Sequence, residues 1–339
     1  MKKIVKFLLP SQALNDATEY YCNLIERAFD IDKYDICRTG NTKDISSKDI
    51  LVNIRSRDLY LVRNKPKKII SWFQGVYSEE YELLYGKGIR SFLVGKVLNY
   101  FDKKALKRSD LFLFVSERML KYYEQKYKIC LQDKSVIIPC YNQSLDRKLI
   151  NKERYQSLKF VYAGGLFAWQ CIDDTLRIFQ EIYHMNNSAE LTILTADKDK
   201  AETLISKYGV ENTTTKYVSL NELPEELAKY KYAFLIRENH IVNNVSTPTK
   251  MNSYLAAGLL PIYTNVIDDF EENIELGEFG IKISTPINIK SCAELIIEHH
   301  KKEIDTDKLY QCFLDHFESY YNDEKHLKIL SGKLKKLGI

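Results

Sequence analysis

The sequence predicts an α/β chain made of two doubly wound halves, each a parallel sheet covered by helices on both faces. Three observations predict this. A chain of 339 residues suffices for about two domains. Short apolar runs alternate with amphipathic, helix-length stretches, the pattern of strand–helix–strand units. The alternation ends near residue 150 and then restarts. The expected boundaries are 1–150 and 151–319, with a C-terminal helix at about 320–339 packing back on the first half. Two such sheets would face each other across a cleft, with ligands outside the carboxyl ends of the strands.

In the first half, Lys3–Leu9 is apolar and β-like, and Asn15–Ala28 follows at helical spacing with Asp16 near its N-cap. Tyr34–Arg38, Ile50–Ile54 and Lys68–Trp72 are short runs bounded by polar residues. A long helix is expected from about Gly88 to Lys107, then a strand at Leu111–Val115, a helix at Glu117–Lys126 opened by Ser116, and a strand at Ser135–Pro139. The second half predicts strands at Lys159–Tyr162, Glu190–Thr195, Thr214–Val218, Tyr232–Ile236, Pro261–Thr264 and Gly280–Ile283. Between them fall helices at Ile172–Met185, Lys198–Tyr208, Pro224–Lys229 and Thr249–Ala257, and the polar tail Leu309–Gly338 is also helical.

Composition narrows the class. Hydrophobic residues make up 45% and charged residues 28%, which excludes wholesale disorder. No apolar run reaches the roughly 18 residues that a membrane span needs. The start MKKIVKFLLPS has too short an apolar run for a signal peptide and reads as a first strand. The 7 cysteines are odd in number and show no CxxC spacing, so they read as reduced, mostly buried thiols of a cytosolic protein. Residues 1–150 carry 28 basic and 18 acidic side chains, against 22 and 28 in residues 151–339. That asymmetry is either ordinary scatter or the mark of a front half that meets an anionic partner.

Two motifs sit where strands end. Gly164 and Gly165 directly follow a strand and precede a helix. They form either a simple tight turn or a place where a ligand nears the backbone and a helix N-terminus favours its negative charge. Later, Arg237-Glu238 ends a strand, a polar loop Asn239–Val245 follows, and Ser246-Thr247-Pro248-Thr249-Lys250 opens a helix that Gly258 closes. Ser, Thr and Pro are helix-start residues. A Lys in the first turn opposes the helix dipole unless an anion is bound there. The group is either a capped surface helix or a diphosphate cradle of hydroxyls, backbone N–H groups and Lys250.

Together these segments resemble bacterial polysaccharide glycosyltransferases of the GT-B fold, similar to the family 4 enzymes. The resemblance rests on Gly164-Gly165-Leu166 with Trp169-Gln170, and on Leu235-Ile236-Arg237-Glu238, Val242-Asn243, Pro248-Thr249-Lys250 and Tyr254–Gly258. In the first half it rests on Trp72–Glu80, Ala105–Asp110, Val115-Ser116 and Ile138-Pro139-Cys140. It runs from about residue 70 to 265. It implies two Rossmann-like doubly wound domains, an N-terminal one for the acceptor and a C-terminal one for a nucleotide sugar. Donor contacts would come from Gly164, Gly165, Trp169, Gln170, Arg237, Asn243, Ser246, Thr247, Pro248, Thr249, Lys250 and Ser253. The sequence departs from the family where Gly165 and Gln170 stand in place of Arg and Lys. It departs again where Val245 and Ser253 stand in place of a Glu-x7-Glu pair.

The expected activity is transfer of a sugar from a nucleotide sugar to a growing, lipid-linked, cell-surface polysaccharide, with retention of configuration implied by the resemblance. Lys250, Ser246, Thr249 and a helix N-terminus can hold the leaving diphosphate without a metal. Asp173-Asp174 reads as a helix-start pair. Glu238 is a candidate sugar contact. Glu79, Glu80 and Asp16 are candidate bases, with Gln74 and Gly75 beside the acceptor; the alternative for Glu79 and Glu80 is a solvated helix start. Among the histidines only His240 lies in a candidate ligand loop. Lys87, Arg90, Lys96, Lys103, Lys104, Lys107 and Arg108 flank Ile89, Phe92, Leu93, Leu98 and Phe101. That stretch is either a helix with its apolar face in the core or a surface for the anionic inner face of a membrane, which would make a cytoplasmic, peripheral enzyme. No nucleic-acid module is evident. Two other readings are a nucleotide-sugar epimerase on this fold and a catalytically degenerate partner subunit.

Overall fold

The computed structural model describes residues 2–10, 13–14 and 16–339, with the backbone alone at Asp16 and Ala17. The chain divides into two compact units, Met1–Asn142 with Val245–Thr247 and Asn322–Ile339, and Gln143–Asn244 with Pro248–Tyr321.

The first unit runs β1 (Lys3–Leu8), α1 (Asp16–Arg27), β2 (Tyr34–Thr39), β3 (Ile50–Asn53), α2 (Ser56–Leu61), β4 (Lys68–Phe73), α3 (Tyr77–Tyr85), α4 (Ile89–Arg108), β5 (Leu111–Phe114), α5 (Glu117–Tyr127) and β6 (Ser135–Ile137). Its sheet is parallel, in the order β2-β1-β3-β4-β5-β6. Strands β3 and β5 are buried along their whole length, as strands with helices on both faces must be. Trp72 on β4 stacks on Tyr21 of α1 with centroids 3.7 Å apart. Ser116 caps α5 by accepting from the Met119 N–H at 2.9 Å.

The second unit runs β7 (Lys159–Ala163), α6 (Ile172–Met185), β8 (Glu190–Leu194), α7 (Lys198–Tyr208), β9 (Thr213–Lys216), α8 (Leu223–Leu227), β10 (Tyr232–Leu235), α9 (Ile241–Asn244), α10 (Thr249–Ala256), β11 (Leu260–Thr264), α11 (Asp268–Asn273), β12 (Ile281–Ile283), α12 (Ile289–His300) and α13 (Thr306–Ser319). Its parallel sheet has the order β12-β11-β10-β7-β8-β9. The order reverses between β7 and β10, so a crevice opens outside their carboxyl ends. Phe160 on β7 stacks on Tyr232 and Phe234 of β10 and anchors that pair of strands.

The last helix, α14 (Asp323–Lys336), belongs to the first unit. Asp323 accepts from Tyr20 and Tyr141 at 3.0 Å each and pairs with Arg27. Ser331 donates to the Ala28 carbonyl at 3.1 Å.

Several elements differ from expectation. The tail is two helices, because the chain leaves α13 at Ser319 and Asn322 starts a new cap by accepting from the Lys325 N–H. The polar loop after β10 contains a helical turn, α9. Short helices α2 and α11 and the longer α12 add to those expected. A separate α3 precedes α4, and Gly86 at φ +76° ends it. All seven cysteines are free thiols, but only Cys22 and Cys292 are buried, and Cys37 and Cys130 are exposed.

Candidate functional site

The crevice residues of the second unit come from the ends of β7 and β10. Directly after β7, the Gly164 N–H donates to the Leu194 carbonyl at 2.8 Å. Gly164 has φ +132°, and a Cβ there would overlap the Lys250 side chain. The backbone angle calls for glycine, and a Cβ would in addition push the Lys250 side chain aside. Tyr162 donates through its hydroxyl to the Gly165 carbonyl at 2.5 Å and shapes the turn. Gly165 is exposed, and beside it the Phe167 and Trp169 rings stack with centroids 4.9 Å apart.

Lys250 is the second residue of α10, reached through extended Pro248. Its ammonium donates to Gln170 Oε1 at 2.5 Å and to the Tyr162 hydroxyl at 3.0 Å, and lies 4.3 Å from the centre of the Tyr162 ring. Arg237, two residues beyond the end of β10, is 2% exposed. Its Nη2 donates to the same Gln170 Oε1 at 2.6 Å, and its Nη1 donates to the Gln170 and Ile236 carbonyls at 3.2 and 2.9 Å. Thr264 fixes its backbone by accepting from the Arg237 N–H and donating to its carbonyl, both at 2.9 Å.

Two cations thus meet on one neutral oxygen. Burial, with the Arg237 charge added, pushes the Lys250 ammonium well below the usual lysine range. Burial also lowers Arg237, and among the described residues no carboxylate pairs with either group. Desolvated cations without a counter-charge at a helix N-terminus suit a multiply charged anion, which would reverse both shifts.

The other expected donor residues divide. Thr249 and Pro248 sit at the start of α10, half-buried. Thr247 lies with the first unit: its hydroxyl accepts from the Cys140 N–H at 3.0 Å and donates to the Val115 carbonyl at 3.4 Å. It therefore does not cap α10, which has no side-chain cap. Ser246, half-buried, belongs to the same stretch, whose Val245 carbonyl accepts from the Ser116 hydroxyl at 2.6 Å. Ser253 turns its hydroxyl back onto the Thr249 carbonyl at 3.2 Å. Asn243 is buried and closes the loop by donating to the Glu238 carbonyl at 3.0 Å, while the Glu238 side chain is exposed. The His240 N–H donates to that same carbonyl at 2.9 Å.

In the first unit, Gln74 is half-buried and Gly75 is buried, its carbonyl accepting from the Tyr123 hydroxyl at 3.0 Å. Glu79 is committed to Lys126 at 2.7 Å and Ser78 at 2.6 Å. Despite burial, those partners hold its carboxyl below the usual range. Glu80 accepts from the Val76 N–H at 3.0 Å. Burial, with Glu79 and Asp102 adding repulsion, pushes it up to about 7. The Asp16 side chain lies outside the described residues.

Three residues in these regions were not anticipated as parts of a site. Tyr162 and Tyr254 stand inside the quoted motifs without a role of their own, yet Tyr254 accepts from the Ala163 N–H at 3.1 Å and so locks the end of β7 to α10. Asp102 lies in a lysine-rich stretch that reads as surface, yet it is 1% exposed and burial pushes it up to about 6. Among the described residues no three His, Cys, Asp or Glu side chains gather as a metal-binding group.

No family model matches the chain, and no curated protein matches it. Solved structures do. WaaG, a glycosyltransferase involved in lipopolysaccharide biosynthesis, aligns at TM-score 0.69 and 11% identity over 97% of this chain and 100% of its own. HepE of Anabaena, in complex with UDP and glucose, aligns at 0.67 and 10% over 99% and 100%. TarM aligns at 0.65 and 14% over 86% of this chain, which spans 56% of TarM. At such identities the likeness shows the fold. It is the expected one, two doubly wound Rossmann-like units of the GT-B class.

Proposed function

We propose that the chain is a glycosyltransferase that moves a sugar from a nucleotide sugar to a glycan acceptor. The observation that carries this reading is the convergence of Lys250 and Arg237 on Gln170, beside the Gly164 turn and the N-terminus of α10. The second unit would hold the donor and the first unit the acceptor. As the glycosidic bond to the leaving group breaks, negative charge grows on the diphosphate. Lys250, Arg237 and the free N–H groups of α10 would stabilise it without needing a metal. Gly164 would let the diphosphate reach the backbone, and the Phe167–Trp169 pair offers a flat face at the rim. HepE in complex with UDP and glucose supports a uridine nucleotide as first choice. Retention of configuration follows from the family resemblance.

The reading extends to a lipid-linked acceptor of surface polysaccharide and a cytoplasmic, peripheral enzyme. Helix α4 supports this. Ile89 is 83% exposed and Phe92 62%, and Leu93 and Val97 are also exposed, next to Lys96, Lys103 and Lys104. An apolar ridge edged by lysines suits an anionic lipid surface. No described helix is long and apolar enough to cross a membrane.

The test is release of UDP from UDP-sugars with and without glycan or lipid-linked acceptors. Acceptor-dependent release is expected. Conversion of the donor without acceptor would favour the epimerase. A second reading, a degenerate partner subunit, is favoured by buried Val245 and the inward-turned Ser253 hydroxyl. It predicts no turnover, weak or absent nucleotide binding, and a tight protein partner.

A further inference from the structure

The first unit contains a pocket that the diphosphate site does not use. It lies among α2, α3 and α4 and has a volume of about 430 Å³, within the range of small-molecule sites. Arg55 and Ser56, at its edge, follow β3. The pocket therefore opens beside the carboxyl end of β3, between the helices that follow β3 and β4.

The lining has two characters. Glu80 presents a carboxylate, and behind it Asp102, 1% exposed, is held by the Tyr123 and Tyr127 hydroxyls at 3.4 and 3.5 Å. Gly75 makes room for the Glu80 carboxylate, which a Cβ there would strike. The opposite character is aromatic: Tyr81 and Tyr85 pair with centroids 4.5 Å apart, and Phe101 adds a third ring. Tyr85 is 65% exposed. Carboxylates accept hydroxyl hydrogen bonds, and aromatic faces cover C–H surface. A ligand that offers both, ring hydroxyls at its edge and axial C–H groups on its face, is a pyranose.

We propose that this pocket binds a pyranose unit of a glycan, with Glu80 accepting its hydroxyls and the Tyr81–Tyr85 pair covering its C–H face. That this glycan is the acceptor rests on the transferase reading; saccharide binding itself does not. Glu79, paired with Lys126, is not part of the pocket lining.

The experiment is saturation-transfer NMR of the full chain with methyl glycosides of glucose, galactose and N-acetylglucosamine, alongside UDP as an independent ligand. The wild type is expected to show transfer to at least one glycoside. Tyr81→Ala and Glu80→Gln should each weaken it at least about fivefold while leaving UDP binding unchanged, which also shows that both variants are folded. Lys250→Ala should weaken UDP and leave the glycoside signal. Glycoside signals that persist in both pocket variants, or no glycoside signal in a wild type that binds UDP, would overturn the proposal. Glycoside binding without UDP binding would instead overturn the transferase reading and leave the pocket supported.

Discussion

Lys250 and Arg237 lie 13 positions apart in the sequence and share one acceptor, Gln170 Oε1, at 2.5 and 2.6 Å. A neutral amide oxygen holds both groups in place but cancels neither charge. Replacing it with a carboxylate should do both. Gln170→Glu is expected to stabilise the fold by about 1–3 kcal/mol, since it neutralises buried cations. It should also weaken nucleoside diphosphate binding by about tenfold or more. Urea denaturation and calorimetry check the two effects, and unchanged nucleotide affinity would count against an anion site here.

Gly164 is constrained twice, by its φ of +132° and by Lys250. Gly164→Ala should cost about 1–3 kcal/mol of stability. It should also displace Lys250 and so reduce nucleotide binding. Gly209→Ala, at φ +60° with nothing within 4 Å, should be destabilising without touching nucleotide affinity.

Glu80 gives a pH signature. Its carboxyl stands at about 7 in the fold against an ordinary 4.5. Around it stand Glu79 and Asp102, the arginines Arg55 and Arg57, Asp58 on α2, and Lys126 of α5, which pairs with Glu79. The folded state therefore holds a proton that the unfolded state releases. The stabilisation is complete below about pH 4.5 and is lost as pH rises to about 7. Glu80→Gln removes this loss, so relative to wild type it should gain on the order of 1–3 kcal/mol between pH 4.5 and 8. Denaturant titrations at the two pH values measure it.

The α4 ridge predicts lipid binding. Phe92→Ser with Leu93→Ser should reduce co-sedimentation with phosphatidylglycerol vesicles at least about tenfold, as loss of two inserted side chains implies. Raising the salt should weaken the wild type as well. Equal binding by the variant would remove α4 as the contact.

Much of this was legible in the sequence, for physical reasons. The β7 run, its Gly pair and α6 are local signals, and so are the Pro248-Thr249-Lys250 start and the Gly258 end of α10, where φ is +72°. What stayed hidden depends on distant partners. Gln170 stands where the family has a cation, and nothing local shows that Lys250, 80 positions away, would bond to it. Thr247 looks like a helix cap, yet Cys140 and Val115 claim its hydroxyl. Asp102 sits beside Lys103 and Lys104, a pattern of a solvated face, and only the packing of α4 against α2 and α3 buries it. The break between α13 and α14 was signalled by Asn322, a good cap residue inside an otherwise helical tail.

The most direct measurement is calorimetric titration of wild type and Lys250→Ala with UDP, with GDP, CDP and ADP as comparisons. The account predicts that at least one nucleotide binds the wild type clearly, UDP first among them. Lys250→Ala should lose about 1–2 kcal/mol, or roughly 5- to 30-fold in Kd, the worth of a charge-assisted contact. Equal affinity for both proteins, or no binding of any of the four by the wild type, would contradict it.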